Sequence, residues 1–113
     1  MEEAFEIVDC VPSGKVCSYG LVGRLKKNRV SGLIVGNWLA KCPGGLPWWR
    51  IIGADGSLKI NKKSPAMAQE QRMRLESEGV IFWGELVPKQ FFVEEIEMAE
   101  LYAEKGSKLP TDE

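Results

Sequence analysis

The sequence has 113 residues, of which 44% are hydrophobic and 27% are charged, and these values are typical of one soluble globular domain. No apolar stretch approaches the roughly 20 residues of a membrane-spanning helix, and the acidic start Met1-Glu2-Glu3 lacks the basic-then-apolar pattern of a signal peptide. We therefore expect a monomer with no cofactor and no membrane contact, in the cytoplasm (at the nucleoid of a prokaryote, or in the nucleus of a eukaryote).

The charge is distributed unevenly along the chain. Residues 14–74 hold twelve basic and two acidic residues, whereas residues 1–13 carry −4 and residues 75–113 carry −7. A cationic middle between acidic ends is typical of a protein that binds a polyanion such as nucleic acid. The alternative is that the charges are spread around a solvated surface. The acidic C-terminal third either docks a protein or shields the basic surface.

The cysteine content does not indicate a metal site. The chain contains Cys10, Cys17 and Cys42 with no CxxC spacing and no histidine. A zinc site would therefore need three thiolates and a carboxylate or water. Three reduced, partly buried thiols in a reducing cytosol are the simpler interpretation.

The N-terminal half contains the pattern of a helix-turn-helix. Apolar spacing predicts a first helix from Glu2 to Val11, ended by Pro12-Ser13-Gly14. Ser18 is a good N-cap for a second helix that runs to about Lys27, and Ser31 caps a third helix that ends near residues 42–45. Two short helices joined by a tight turn form this motif.

The rest of the chain predicts a small mixed region. Residues 49–52 and 57–60 around Asp55-Gly56 indicate a β-hairpin. A helix is expected from about Pro65 to Ser77, with strands at 80–82 and 91–93 and a last helix over 94–105. The prediction is a single, mostly helical α/β domain of winged-helix type over residues 1–105, followed by a flexible acidic tail over 106–113.

Three ordered segments carry a family resemblance. They are Val11-Pro-Ser-Gly-Lys-Val-Cys-Ser-Tyr-Gly20, then Val35-Gly36 in the third helix, then Pro47-Trp-Trp-Arg-Ile-Ile52. They resemble the DNA-binding domain of O6-alkylguanine-DNA alkyltransferases. The later segment from Gln69 to Val80 is similar to the alkyltransferase-like branch of that family.

The resemblance implies recognition of DNA damage without repair. In the enzymes a cysteine thiolate takes the alkyl group and a neighbouring histidine helps to deprotonate it. The matching positions here are Trp48 and Trp49. The alkyltransferase-like branch usually keeps the histidine, so Trp49 departs from that branch too. An indole is not a useful alkyl acceptor, and we therefore expect no enzyme activity.

Proteins of this family rotate the damaged base out of the duplex, at a cost of about a few kcal/mol. The resemblance also implies which residues surround that base. Trp48 is expected in the pocket rather than in the core, and Trp49 is expected to pack structurally, pointing away from Trp48 on a strand. Tyr19 matches the tyrosine that crowds the phosphate beside the target base. Ser18 acts as a helix cap, a phosphate contact or both. Arg50 is expected near the pocket as a structural or hydrogen-bonding residue.

In the family, an arginine of the third helix fills the gap left by the rotated base. The third helix of this chain has a different residue at that position. Leu33 stands there, and it either acts as an apolar wedge between base steps or is an ordinary residue of the helix surface or core. Arg29, four residues earlier, is a possible substitute. The expected DNA contacts are Ser18, Tyr19, Ser31, Gly32, Leu33, Gly36 and Asn37.

Two loops complete the predicted site. Cys42-Pro43 matches an Asn-Pro hinge of the enzymes, and the loop from there to Pro47 is shorter. Lys59, Lys62 and Lys63 lie in the segment that covers the pocket, where they contact phosphate or solvate the loop. We expect Lys62 and Lys63 at the lesion pocket with Trp48, Arg50 and Tyr19.

Three functions remain open from the sequence. The first is a non-enzymatic sensor that binds the minor groove, rotates O6-alkylguanine into a Trp-lined pocket and flags it for nucleotide-excision-repair proteins. The second is a diverged winged-helix protein that binds double-stranded DNA without lesion specificity. The third is an alkyltransferase that uses Cys17 or Cys42, although the chain offers neither of them a histidine base.

Overall fold

The computed structural model describes residues 1–41, 44–62 and 64–107. Short 3-10 turns occupy Trp48–Arg50, Lys59–Lys62 and Lys89–Phe91. The longer elements in these ranges, in chain order, are α1 (Glu2–Val8), β1 (Cys17–Ser18), α2 (Tyr19–Leu25), α3 (Gly32–Leu39), β2 (Ile51–Ile52), α4 (Pro65–Ser77) and α5 (Glu95–Ser107).

Serine hydroxyls begin the two helices of the predicted helix-turn-helix. Ser18 Oγ accepts a hydrogen bond from Leu21 N at 3.1 Å, and Ser31 Oγ accepts one from Ile34 N at 3.3 Å. Each satisfies a backbone N–H that has no partner inside its helix. The helix-turn-helix prediction is confirmed, although α1 ends at Val8 rather than Val11.

The predicted β-hairpin is wrong. Its turn forms, because Gly56 has a φ of 91° and Gly53 N donates to Ser57 O at 2.9 Å. The chain after Ser57 then enters the 3-10 turn Lys59–Lys62. Strand β2 pairs instead with β1 in parallel, with Cys17 opposite Ile51 and Ser18 opposite Ile52. The local turn was predicted correctly, but the pairing of the strand places Ile51 and Ile52 in two different buried clusters, which a hairpin with residues 57–60 would not do.

The two-stranded sheet separates two hydrophobic clusters. Ile51 belongs to the cluster formed with α1, α2, α3 and α5, whereas Ile52 belongs to the cluster with Leu75 of α4, Val80 and Val87. Successive residues of a strand point to opposite faces, which explains this division. The mostly helical, single-domain prediction is confirmed.

The C-terminal part agrees with the predicted helices but not with the strands. Ser64 Oγ caps α4 through Met67 N at 3.2 Å, and Pro65 is its first residue. Residues 80–82 form no strand, and residues 91–93 contribute one isolated bridge, from Phe92 to Val16. Helix α5 extends to Ser107, past the predicted end of the domain, and the remaining tail, 108–113, lies outside the described residues. No helix in the described part of the chain is long and apolar enough to cross a membrane.

The glycines of α2 make a matched pair for a stability test. A Cβ on Gly23 would overlap the carbonyl oxygen of Val30, whereas a Cβ on Gly20 would meet only Arg24 Nη1 at 3.5 Å. Gly23 is therefore required for the close approach of α2 to the turn before α3.

We expect Gly23→Ala to destabilise the protein by about 2 kcal/mol or more through this overlap. Gly20→Ala should instead stabilise it by up to about 1 kcal/mol, because alanine has the higher helix propensity. Urea unfolding measures both. Equal free energies of unfolding for the two variants would contradict the packing described for Gly23.

Candidate nucleic-acid interface and base pocket

A cavity of about 710 Å³ opens beside α3. Six of the predicted site residues line it, namely Tyr19, Gly32, Leu33, Gly36, Asn37 and Trp48. They come from three separate segments, so the fold brings together the tyrosine of the first motif, the third helix and the paired tryptophans. Most of the wall is apolar.

Two glycines allow the first of these segments to lie against the third helix. Gly32 and Gly36 are four residues apart on α3 and therefore share one face. A Cβ on Gly32 would approach Tyr19 Cβ to 3.2 Å, and one on Gly36 would contact the Tyr19 ring at 3.7 Å. Burial raises the pKa of the Tyr19 phenol. The Tyr19 side chain therefore lies in the cavity wall with its hydroxyl group protonated.

The paired tryptophans take different environments. Trp48 lines the cavity, and the ring of Trp49 contacts it edge to face with centroids 6.1 Å apart. The expectation that they point apart on a strand is wrong, because Trp48–Arg50 is a 3-10 turn. Trp49 lies against the guanidinium groups of Arg50 and Arg74, 5.4 and 4.6 Å from its ring centroid. These cation–π contacts give Trp49 the structural role that was expected of it.

The carboxylate of Glu78 holds this turn in place. Oε2 accepts hydrogen bonds from Trp49 Nε1 at 3.0 Å and Arg50 Nη2 at 2.7 Å, and Oε1 accepts from Arg50 Nε at 3.1 Å and Gly14 N at 3.2 Å. Burial alone would raise the pKa of Glu78, but these hydrogen bonds and the Arg50 charge lower it overall. Glu78 is therefore an ionised anchor at the end of α4.

Arg50 is occupied by this network and does not line the cavity. Besides Glu78, its Nη1 donates to Val11 O at 2.8 Å, which ties the paired tryptophans to the first motif. Arg50 was expected at the lesion pocket, but its hydrogen bonds hold it behind the cavity wall, where it stabilises the structure. Gln71 of α4 adds a second support, since its Nε2 donates to the carbonyls of Trp49 and Ile51 at 3.1 Å.

The remaining predicted site residues have other positions. Ser18 and Ser31 cap their helices and are not part of the cavity wall. Lys63 and the hinge residues Cys42 and Pro43 lie outside the described residues, and for Lys62 only the backbone is described. Leu33 is 77% exposed at the start of α3, so it is helix surface at the cavity mouth rather than core.

Many basic side chains in the middle of the chain are paired with carboxylates. The structure describes ten of these twelve side chains, and six of the ten form ion pairs. Four of the carboxylates involved belong to the acidic ends of the sequence, namely Glu3, Glu76, Glu78 and Glu95. Within the described part of the chain, Lys27, Arg29 and Lys41 are exposed and form no ion pair. Lys27 and Arg29 lie in the turn before α3, and Lys41 lies just after that helix. Exposed positive charge without an acidic partner is therefore available to a polyanion at both ends of α3.

The environment of Cys10 and Cys17, the two cysteines that the structure describes, opposes nucleophilic chemistry. Burial raises the pKa of Cys17 to about 12 and also raises that of Cys10. Both thiols are therefore held in the protonated form, whereas the thiolate is the nucleophile. Among the described residues, no three His, Cys, Asp or Glu side chains gather as metal ligands do.

Sequence reasoning missed several residues of the site. Ile60, Ser64 and Met67, which lie at and before the start of α4, line the cavity beside Lys59. The segment that covers the pocket was recognised, but its apolar members were not. Glu78 and Gln71 were noted as parts of a motif without a role, because their partners are more than 20 residues away in the sequence.

Comparison with known proteins assigns the family. Residues 1–80 match the model of the 6-O-methylguanine DNA methyltransferase, DNA binding domain. The chain belongs to this family. The matched region contains the helix-turn-helix, the paired tryptophans and Glu78, and it confirms the resemblance stated from the sequence motifs.

Two bacterial members of the family with similar sequences are called DNA base-flipping proteins. The protein of Escherichia coli (strain K12) is 33% identical over 85 residues, which cover 74% of this chain and 64% of that protein. The protein of Vibrio parahaemolyticus is 29% identical over 80 residues, which cover 69% of this chain and 77% of that protein.

The fold is also similar to that of S. pombe Atl1, which was solved in complex with damaged DNA containing O6-carboxymethylguanine. The TM-score is 0.73 at 26% sequence identity, and the match covers 82% of this chain and 93% of Atl1. A second structure of that protein with DNA gives the same TM-score.

We expect Glu78→Gln to lower the free energy of unfolding by about 3 kcal/mol at pH 7, because it leaves the mostly buried Arg50 charge without its partner. The pKa of Glu78 lies below its ordinary value of 4.5 in the folded state. Its contribution is therefore complete above that pH and is lost as the pH falls through the folded-state pKa.

Glu76→Gln is the matched control, since the Glu76–Arg72 pair is half exposed and should contribute less than about 0.5 kcal/mol. Urea unfolding from pH 7 to pH 3 measures both variants. A Glu78→Gln protein as stable as Glu76→Gln, with an unchanged pH dependence, would contradict the anchoring role.

Proposed function

We propose that this protein is a non-enzymatic sensor of DNA damage. In this proposal α3 enters the minor groove, an O6-alkylguanine rotates out of the duplex, and the cavity beside α3 holds the base. The observation that carries the proposal is the open cavity with Trp48 in its wall. This cavity lies beside the exposed start of α3, the second helix of the helix-turn-helix.

The dimensions and chemistry of the cavity suit a rotated base. Its volume of about 710 Å³ lies within the usual range of ligand sites. The rings of Trp48 and Tyr19 offer flat apolar surfaces on which a base can pack, and such contacts contribute about 1–3 kcal/mol per base. Tyr19, Asn37, Lys59 and Ser64 supply the polar side chains of a mostly apolar wall.

None of the described residues that line the cavity is a cysteine or a histidine, the two groups that alkyl transfer requires. Trp48 and Trp49 stand at the positions that the resemblance assigns to the acceptor cysteine and its histidine, and the sequence contains no histidine. Trp49 donates its N–H to Glu78 but has no lone pair with which to take a proton. In this proposal the protein therefore binds the lesion and leaves its alkyl group in place.

The relatives support this proposal. The bacterial relatives are called base-flipping proteins, and the structure of Atl1 contains DNA with O6-carboxymethylguanine. A protein that holds a lesion without removing it requires another system to complete repair. We propose that nucleotide-excision-repair proteins are that system and that the bound complex marks the site for them.

Two observations favour a second candidate, a DNA-binding protein without lesion specificity. The family arginine of the third helix is replaced by Leu33, which cannot hydrogen-bond the base left unpaired. In addition, six of the ten described basic side chains in residues 14–74 are already ion-paired. This candidate predicts equal affinity for damaged and undamaged duplexes.

A fluorescence competition titration at one stated salt concentration separates the two candidates. We expect an O6-methylguanine duplex to bind more tightly than the matched guanine duplex, and Trp48→Ala to reduce this preference by at least about fivefold through lost base packing. Trp83→Ala is the control, because Trp83 is 72% exposed and lies outside the cavity. Equal affinity of the wild type for both duplexes would support the second candidate.

A second test addresses the exposed leucine of α3. We expect Leu33→Ala to weaken binding to both duplexes by about tenfold, because a smaller side chain fills the gap between base steps less well. Ile96→Ala on α5 is matched in exposure, at 74% against 77% for Leu33, and should leave binding unchanged. Unchanged affinity of Leu33→Ala would rule out the wedge.

A further inference from the structure

Lys59 is the one charged side chain among the described residues that line the cavity. Its position is set by its neighbours. The aliphatic stem passes so close to Gly53 that a Cβ there would overlap it, and Nζ donates to Asp55 Oδ2 at 3.1 Å. A lysine ammonium has three N–H donors, so the contact with Asp55 leaves two of them for a ligand.

The partner of Lys59 is itself fixed. Asp55 Oδ1 accepts hydrogen bonds from Ser57 N at 3.0 Å and Ser57 Oγ at 2.8 Å. These bonds and the contact with Lys59 lower the pKa of Asp55 to about 2. Asp55 is not among the residues that line the cavity, whereas Lys59 is. Lys59 is therefore the member of this half-exposed pair that contributes to the cavity wall, and its ammonium is held at the edge of that wall by Asp55.

We propose that Lys59 makes the cavity select O6-alkylguanines whose alkyl group ends in a carboxylate over neutral adducts of the same size. This inference rests on the proposed function and specifies its substrate class. The remaining wall is mostly apolar, so a carboxylate inside it has few other polar partners. The free N–H donors of Lys59 supply a charge-assisted hydrogen bond that a neutral adduct receives only in weaker form.

The test compares four duplexes that differ at one base, which is guanine, O6-methylguanine, O6-carboxymethylguanine or O6-(carbamoylmethyl)guanine. The last two have nearly the same shape and differ in charge, which removes the effect of size. We expect the wild type to bind the carboxymethyl duplex about fivefold more tightly than the carbamoylmethyl duplex, the upper end for a half-exposed ion pair. Added salt should reduce this ratio.

Three variants assign the ratio to Lys59. Lys59→Gln should bring it to about one while the preference for O6-methylguanine over guanine remains, and Lys59→Arg should keep it. Asp55→Asn retains the Oδ1 acceptor for Ser57 but removes the competing charge, so it should raise the ratio. Lys27→Gln, an exposed lysine outside the cavity, should leave the ratio unchanged.

Two results would overturn the inference while leaving the proposed function intact. One is equal wild-type affinity for the charged and neutral adducts, with both preferred over guanine. The other is an equal loss of affinity for all four duplexes in Lys59→Gln, which would make Lys59 a phosphate contact. A wild type that binds all four duplexes equally would overturn the proposed function itself.

Discussion

The site depends on one partly buried carboxylate. Glu78 at the end of α4 binds the backbone of the first motif through Gly14, the indole of Trp49 and the guanidinium of Arg50, all within 3.3 Å. These groups come from two separate parts of the chain, the loop at Gly14 and the 3-10 turn Trp48–Arg50. Because the carboxylate is mostly buried and ionised, any movement of the paired tryptophans would leave a charge without its partner. This constraint keeps Trp48 in the cavity wall.

The opposite wall of the cavity depends on glycines, which have no side chains, rather than on a polar network. Gly23, Gly32 and Gly36 allow α2, α3 and the turn between them to approach closely. The helix-turn-helix thus places Tyr19 and Leu33 at the mouth of the same cavity. A rigid network on one side and close helix packing on the other form a preorganised cavity, which binds at a lower entropic cost than a site that must be ordered by its ligand.

The sequence predicted local features more accurately than long-range ones. The caps Ser18 and Ser31 and the helix beginning at Pro65 depend on neighbouring residues, and all three are confirmed. The hairpin failed because the partner of Ile51 is Cys17, 34 residues earlier, and no local pattern specifies such a pairing. Arg50 was expected at the pocket because its position follows the motif, yet its hydrogen-bond partners Val11 and Glu78 hold it behind the cavity. A count of charges along the chain also could not show the ion pairs that form between the acidic ends and the cationic middle.

The central claim is that the protein holds O6-alkylguanine without reacting with it. The most direct measurement is mass spectrometry of both components after prolonged incubation of the protein with excess O6-methylguanine duplex. We expect that the protein keeps its original mass and that all of the O6-methylguanine is recovered from the DNA. A protein heavier by one methyl group, with guanine restored in the duplex, would contradict it.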